Sequence, residues 1–351
     1  MTTSKGKPSG PVTLQDVARR AGVSLATASR AFNGSKDRVV GGQMRERVRV
    51  AAAELGYTPN SYAQAMARGR TNVVGLVVHD IADPFFATVA AGVMREAELH
   101  GLLVSMASTQ RRPEAEVDHV ATFRNNWAKA VILVGSRFSD HALNDRVADE
   151  LAAFEASGGR AVAVSQPLLP VDTVAIDHRE GAHELADALY GLGHRRFGIL
   201  SGPLDLVTAA DRTAGFTEAL LRRGAPVSAA HIVSGEFTRD GGYDAMNRLL
   251  NDGADVTCVF AVNDVMAVGA MAALRERNIW LPDDMAVAGF DDILTLRDVS
   301  PALTTVRVPM EEMGAQALRL ALDDGVGRPR VQRVSGTVVI RASTPRLGVT
   351  A

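Results

Sequence analysis

Apolar positions along the chain follow two regimes. Up to residue 57 they recur at helical spacing, and from residue 72 they come as short continuous runs between amphipathic stretches. In the first regime Leu14, Val17, Ala18 and Ala21 fall at i, i+3, i+4 and i+7, which predicts a helix over 14–21. Thr13 stands before it as an N-cap, and Asp16 places negative charge at its start. Gly22 follows where the chain must turn, and Ser24 caps a second helix, 25–32, whose inner face is Ala28, Ala31 and Phe32. After a Gly-rich loop at 34–44 comes a third helix, 45–55, with Val48, Ala51, Ala52 and Leu55 inward and Arg45, Arg47 and Arg49 outward. These helices make a core near the lower limit for independent folding.

In the second regime, runs such as VVGLVV (73–78), LLVSMA (102–107), AVILVG (130–135) and AVAVS (161–165) read as buried strands. Helices are predicted between them at 85–99, 114–126 and 140–156. A second set follows: strands at 173–177, 197–202, 231–235, 258–262 and 285–291, with helices at 180–192, 211–223, 240–251 and 264–276. A helix at 309–322 and a last strand near 334–341 close the series. Alternating strands and helices of this kind predict parallel sheets covered by helices, in two lobes. Between the regimes lies TPNSYAQAMARGRT (58–71), where Asn60 or Ser61 can cap a short helix that Gly69 stops. So short a helix is marginal by itself in water.

Charge sharpens the division. The net charge of −2 conceals a head, residues 1–71, with 12 Lys and Arg against 4 Asp and Glu, and a remainder with 26 against 36. A basic head on an acidic body expects the head to meet a polyanion. The outer face of the second helix carries Leu25, Ala26, Thr27, Ser29, Arg30 and Asn33, small or hydrogen-bonding groups that suit a DNA major groove. An ordinary two-helix corner is the other reading of that pair taken alone. No apolar run reaches the length of a membrane span, and MTTSKGKPSGP lacks the apolar stretch of a secretory signal, so a cytoplasmic location is expected. The single cysteine, Cys258, excludes an intramolecular disulfide and a multi-cysteine zinc site. GLGHRR (191–196) is not a dinucleotide fingerprint, and no phosphate-loop, nucleophile-elbow or zinc-protease motif is present. Neither a catalytic residue, a metal nor a cofactor is expected.

The head, the ELGYTPN run and the segment after it resemble the lactose-repressor (LacI-type) family of bacterial regulators, and the resemblance extends over nearly the whole chain. It implies an all-α helix-turn-helix head plus an α/β, two-lobed, periplasmic-binding-protein-like body with parallel sheets. The expected division is a DNA-binding domain at 1–57 and a hinge at 58–71. The first lobe takes 72–175 plus 309–325, the second 176–308 plus 326–345, and 346–351 is a tail. The resemblance implies a regulator, expected to be a repressor, that binds double-stranded operator DNA as a homodimer under a small-molecule effector, a sugar or sugar derivative. No leucine heptad tail follows TVVIRASTP, so a dimer rather than the family's tetramer is expected. Thr13, Ser24, Leu25, Ala26, Thr27, Ser29, Arg30 and Asn33 are the expected DNA contacts of the head. Asn60, Tyr62, Ala63 and Met66 are those of the hinge, with Met66 at the minor-groove wedge where leucine is usual.

Ligands of open parallel sheets bind beyond the carboxyl ends of strands. The candidates there are Phe85 and Phe86 in HDIADPFF, Ser165, Arg212, Phe237, Asn263 and Asp291. By resemblance Arg212, Asn263 and Asp291 match effector contacts and Phe237 an aromatic that stacks on the ligand. Phe85 and Phe86 suit core packing equally well, Asp264 and Asp292 read as helix caps, and the remaining histidines, His194 included, as structural or surface groups. The alternative function is a solute-binding or sugar-modifying protein on the same two-lobed fold.

Overall fold

The computed structural model describes residues 12–33 (of Asn33 the backbone alone), 40–57, 69–323, 325 and 327–347. It divides into two compact units, Met1–Thr71 and Asn72–Ala351.

In the first unit α1 (Leu14–Ala21), α2 (Leu25–Asn33) and α3 (Gly42–Leu55) bury Val17, Ala18, Ala21, Ala28, Val48, Ala51 and Ala52 together. A capping box starts α1: Thr13 Oγ1 accepts from Asp16 N at 3.4 Å, and Asp16 Oδ2 accepts from Thr13 N at 3.1 Å. Gly22 ends α1 in the left-handed region at φ 65°. Arg47 is exposed, as expected, and also donates from Nη2 to the Ala21 carbonyl at 2.6 Å. A last-turn carbonyl has no partner within its own helix, so a guanidinium from α3 is held there. Helix α3 begins at Gly42, earlier than the periodicity indicates, because Gly41 can turn the chain into it.

The second unit holds a six-stranded and a four-stranded parallel sheet. The six-stranded sheet is formed by β1 (Val73–Val78), β2 (Leu103–Ser108), β3 (Ala130–Val134), β4 (Arg160–Val164), β5 (Asp172–Ile176) and β11 (Val331–Val334), in the order β11-β5-β4-β3-β1-β2. Connecting helices α4 (Pro84–Leu99), α5 (Ala115–Asn125) and α6 (His141–Ala156) cover it. The four-stranded sheet is β6 (Phe197–Leu200), β7 (Ile232–Val233), β8 (Cys258–Ala261) and β9 (Ala286–Ala288), in the order β7-β6-β8-β9. Its helices are α7 (His178–Gly191), α8 (Val207–Arg222), α9 (Arg239–Asn251) and α10 (Asp264–Glu276). A short antiparallel pair, β10 (Thr305–Arg307) and β12 (Thr337–Val339), and α11 (Met310–Leu322) complete the unit.

The C-terminal stretch departs from the sequence reading. One strand near 334–341 is expected, with all of 326–345 in the second lobe. In the structure Val331–Val334 pairs parallel with β5 in the first sheet, and a separate strand, β12, pairs with β10. Helix α11 packs on α4 and on β3, β4 and β5. The reason for the early return is Asp172. Its carboxylate accepts from Arg330 N at 2.8 Å and Arg330 Nη2 at 2.7 Å, and also pairs with Arg160 at 3.2 Å. Burial alone would raise the pKa of Asp172, but the Arg330 hydrogen bonds and the Arg330 and Arg160 charges outweigh it and hold the pKa below its ordinary value. The edge of β5 is thereby closed by a strand whose own residues, VQRV, carry no apolar alternation that a sequence reading could use.

Candidate functional site

Two surfaces are candidates, one on each unit. On the head, Ser24, Leu25 and Ala26 are exposed and Thr27, Ser29 and Arg30 are half-buried along α2. Ser24 Oγ accepts from Thr27 N at 3.1 Å, so the N-terminus of α2 is capped while this face stays open to solvent. Thr13 serves the capping box of α1. The side chain of Asn33, and Asn60, Tyr62, Ala63 and Met66, lie outside the described residues.

On the body, the carboxyl ends of strands from both lobes enclose a cleft of about 290 Å3. Of the predicted ligand residues it brings together Phe85, Phe86, Ser165, Arg212, Phe237 and Asp291. From the first lobe, Asp83 caps α4 by accepting from Phe85 N at 3.0 Å, and this places Phe85 and Phe86 at the helix start. The two rings meet edge-on with centroids 5.3 Å apart. Phe86 also packs in the core, with Phe85 against it, so both rings line the cleft and support the packing beneath it. From the second lobe, Gly202 at φ 67° leaves room for Phe237, whose ring a Cβ there would meet at 2.8 Å.

Arg212 lies in the second turn of α8, only 2 % exposed. Its guanidinium donates to Asp291 Oδ1 at 2.7 Å, Asp291 Oδ2 at 3.3 Å, the Val262 carbonyl at 2.7 Å and, through Nε, His178 Nδ1 at 3.2 Å. It also lies 3.8 Å over the Phe290 ring. Asp291 sits at φ 121°, a conformation that costs an L residue on the order of 1–3 kcal/mol. The Arg212 fork and the bond from Asp291 N to the Val306 carbonyl at 2.9 Å fix it there. Burial, and then the Arg212 charge, pull the pKa of His178 well below its ordinary value, so the ring is neutral and accepts at Nδ1.

Asn263 is the exception among the predicted residues. It is buried, does not line the cleft, and spends its side chain as the N-cap of α10, accepting from Met266 N at 2.9 Å. Asp264 and Asp292, by contrast, do not serve as the helix caps expected of them. Asp264 accepts from Thr305 Oγ1 at 2.7 Å and Ile293 N at 3.0 Å, tying the 291–293 turn to α10, and burial, reinforced by the Asp291 charge, pushes its carboxyl up to about 7. Asp292 pairs with Arg307 and Arg341, each at 2.7 Å.

Several lining residues are missing from the sequence reading, among them His79, Arg111, Phe138, Gln166, His178 and Thr208. His79, Gln166 and His178 each follow a strand end within two residues, so the strand-end rule already applied to Ser165 reaches them. The two lobes also touch directly at the cleft. Val207 N donates to the Arg137 carbonyl at 3.0 Å and Ser139 N to the Asp205 carbonyl at 2.9 Å. Gln166 bridges between them, accepting from Arg137 N at 2.7 Å and donating to Thr208 Oγ1 at 2.8 Å. Both guanidinium groups on the cleft wall are engaged by carboxylates, since Arg111 holds Asp80 at 3.2 Å and Asp83 at 3.4 Å. The cleft offers hydrogen-bonding groups between aromatic faces, with the exposed carboxylates of Asp205 and Glu236 also on its lining, an arrangement suited to a small polar ligand with apolar faces. Cys258 is buried in β8, where desolvation pushes its thiol up, away from reactivity.

Comparison with known proteins finds a matching family model on each unit. Residues 13–60 match the family described as bacterial regulatory proteins, lacI family, and residues 186–344 match the periplasmic binding protein-like domain. The chain is 31% identical to the HTH-type transcriptional regulator DegA of Bacillus subtilis (strain 168), over 95% of this chain and 98% of that one. A solved transcriptional regulator CelR–cellobiose complex is 32% identical with a TM-score of 0.69, covering 95% of this chain and 99% of its own. The lac repressor dimer bound to operator and the anti-inducer ONPF is 27% identical with a TM-score of 0.80, covering 96% and 100%. These matches run over nearly the full length of both partners, and the chain belongs to the lacI family of bacterial regulatory proteins, as a DNA-binding transcriptional regulator.

Proposed function

We propose that the chain is a repressor that binds a pseudo-palindromic operator as a homodimer and is controlled by a sugar or sugar derivative held between the two lobes of its body. Each head reads one half-site through α2. Leu25 and Ala26 make apolar contacts, Arg30 bonds a base edge, and Thr13, Ser24, Thr27, Ser29 and Asn33 hold phosphates and neighbouring edges. Asn60, Tyr62, Ala63 and Met66 act at the minor groove, with Met66 as the wedge. Phe85, Phe86, Ser165, Arg212, Phe237 and Asp291 take the effector. The effector acts by binding one degree of lobe closure better than another, and it shifts operator affinity by no more than that difference.

The observation that carries this reading is the cleft: Arg212 and Asp291 fixed at one end, and phenylalanine rings contributed by both lobes. Two solved relatives support it, one a complex with cellobiose and the other a dimer on operator with the anti-inducer ONPF. The solute-binding and sugar-modifying alternatives lose ground because the matched full-length relatives are regulators.

The test is genomic footprinting with purified protein, followed by thermal-shift screening of sugars and operator binding with each hit. Protection of a pseudo-palindromic site that one sugar modulates supports the reading. Absence of any protected site, with or without sugars, refutes it.

A further inference from the structure

His79 is the first residue beyond β1 and only 5% exposed, yet it lines the cleft. One edge of its ring packs so closely on Gly135 that a Cβ there would meet Nε2 at 2.5 Å, which explains why a glycine stands at that point. On this same edge Nε2 lies 3.2 Å from Glu116 Oε1. Glu116 is itself buried and fixed by Arg137, whose Nη1 donates to Oε2 at 2.7 Å and whose Nη2 bonds Oε1. Phe86 and Phe138 flank the ring, with centroids 5.8 and 6.1 Å away. Among the described residues Nδ1 has no hydrogen-bond partner.

A carboxylate accepts and does not donate, so a neutral imidazole beside it keeps its proton on the facing nitrogen. In the neutral ring that nitrogen is Nε2, and Nδ1 is left with its lone pair. Arg137 bonds both oxygens of Glu116, so the carboxylate facing the ring is itself fixed in place.

We propose that His79 is a ligand-binding residue of the cleft, presenting Nδ1 as a hydrogen-bond acceptor and selecting ligands that place a hydroxyl or amide donor between Phe86 and Phe138. Glu116 and Arg137 are positioning residues, acting through the tautomer of His79. This rests on the cleft being the effector site. It adds a requirement that the Arg212–Asp291 end does not impose: the ligand must donate at the first-lobe wall as well.

The experiment uses the full chain labelled with 15N-histidine. The His79 signals are identified by their loss in His79→Asn. In the free protein Nδ1 resonates as an unprotonated ring nitrogen and Nε2 as a protonated one, and in Glu116→Gln the two tautomers mix. A protonated Nδ1 in the wild-type protein overturns the proposal without recourse to any variant. Cellobiose, ribose and galactose are then titrated calorimetrically. The probe that binds wild type binds His79→Phe about tenfold more weakly, the cost of stranding one donor, and binds His79→Asn within a few-fold. Equal affinity for wild type and His79→Phe overturns the proposal and leaves the cleft as the effector site. If none of the three sugars binds wild type, the sugar reading of the cleft fails and the proposal falls with it.

Discussion

Glu116→Gln is the substitution whose consequence follows most directly from the geometry. Glu116 and Arg137 are 3% and 2% exposed, so little solvent screens their pairing. Burial alone would raise the Glu116 pKa, but the Arg137 charge and the hydrogen bonds from His79 and Arg137 overcome it and hold the carboxyl at about 2, against 4.5 in the unfolded chain. Each pKa unit is worth about 1.4 kcal/mol, so the ionised carboxylate supplies roughly 3 kcal/mol of stability at pH 7. This agrees with the cost of about 3–5 kcal/mol for breaking a buried pair from one side. The folded pKa lies below the unfolded one, so the contribution is complete above about pH 4.5 and is lost as pH falls toward 2. Glutamine has no such titration. The stability difference between wild type and variant therefore narrows, falling by roughly half between pH 7 and pH 3. Urea unfolding followed by circular dichroism at pH 3, 5 and 7 reads it, with unchanged m values as the check that the unfolded reference is the same. A penalty that is equal at pH 3 and pH 7 would refute the electrostatic account and leave only lost packing.

Three further outcomes are expected. Arg30→Ala weakens binding to the protected operator by about 1–3 kcal/mol and leaves non-specific DNA binding far less changed; equal losses on both, measured by salt-matched fluorescence anisotropy, would reduce Arg30 to a phosphate contact. Gly92→Ala puts a methyl 1.9 Å from the Glu311 carbonyl, where α4 and α11 cross. It costs about 1–3 kcal/mol, and an unshifted thermal midpoint contradicts that packing. Asp172→Asn weakens the hold on the arginine that anchors β11, leaving its bond to Asp323, so amide exchange at Val331–Val334 accelerates about tenfold while β1 and β3 are unaffected, and uniform acceleration would mean global destabilisation instead.

How much of the site was legible depends on what kind of signal each residue leaves. The capping residues Thr13 and Ser24 and the turn at Gly22 are local chemistry, written within a few positions, and the structure reproduces them. The strand-end rule reached Ser165 and Asp291 because parallel strands present their carboxyl ends to one crevice, whereas Arg212, in the second turn of α8, was reached by resemblance. It could not separate Asn263 from them. A cap and a ligand contact ask for the same short polar side chain at the same strand-to-helix junction, and only the direction of that side chain decides. Asp264 failed for a related reason, since its partners Thr305 and Ile293 lie far along the chain.

By itself the sequence determined that a basic helical head precedes an acidic two-lobed α/β body, because helix and strand periodicity and charge are properties of neighbouring residues. The tertiary structure alone decided which buried charges meet: Arg137 with Glu116, Arg212 with Asp291, Arg330 with Asp172. Each pair joins residues 21 to 158 positions apart, and periodicity carries no information at that separation. It also decided that the ring of His79, at the cleft wall, is held against Gly135 and Glu116, because a ring's orientation is set by what packs behind it.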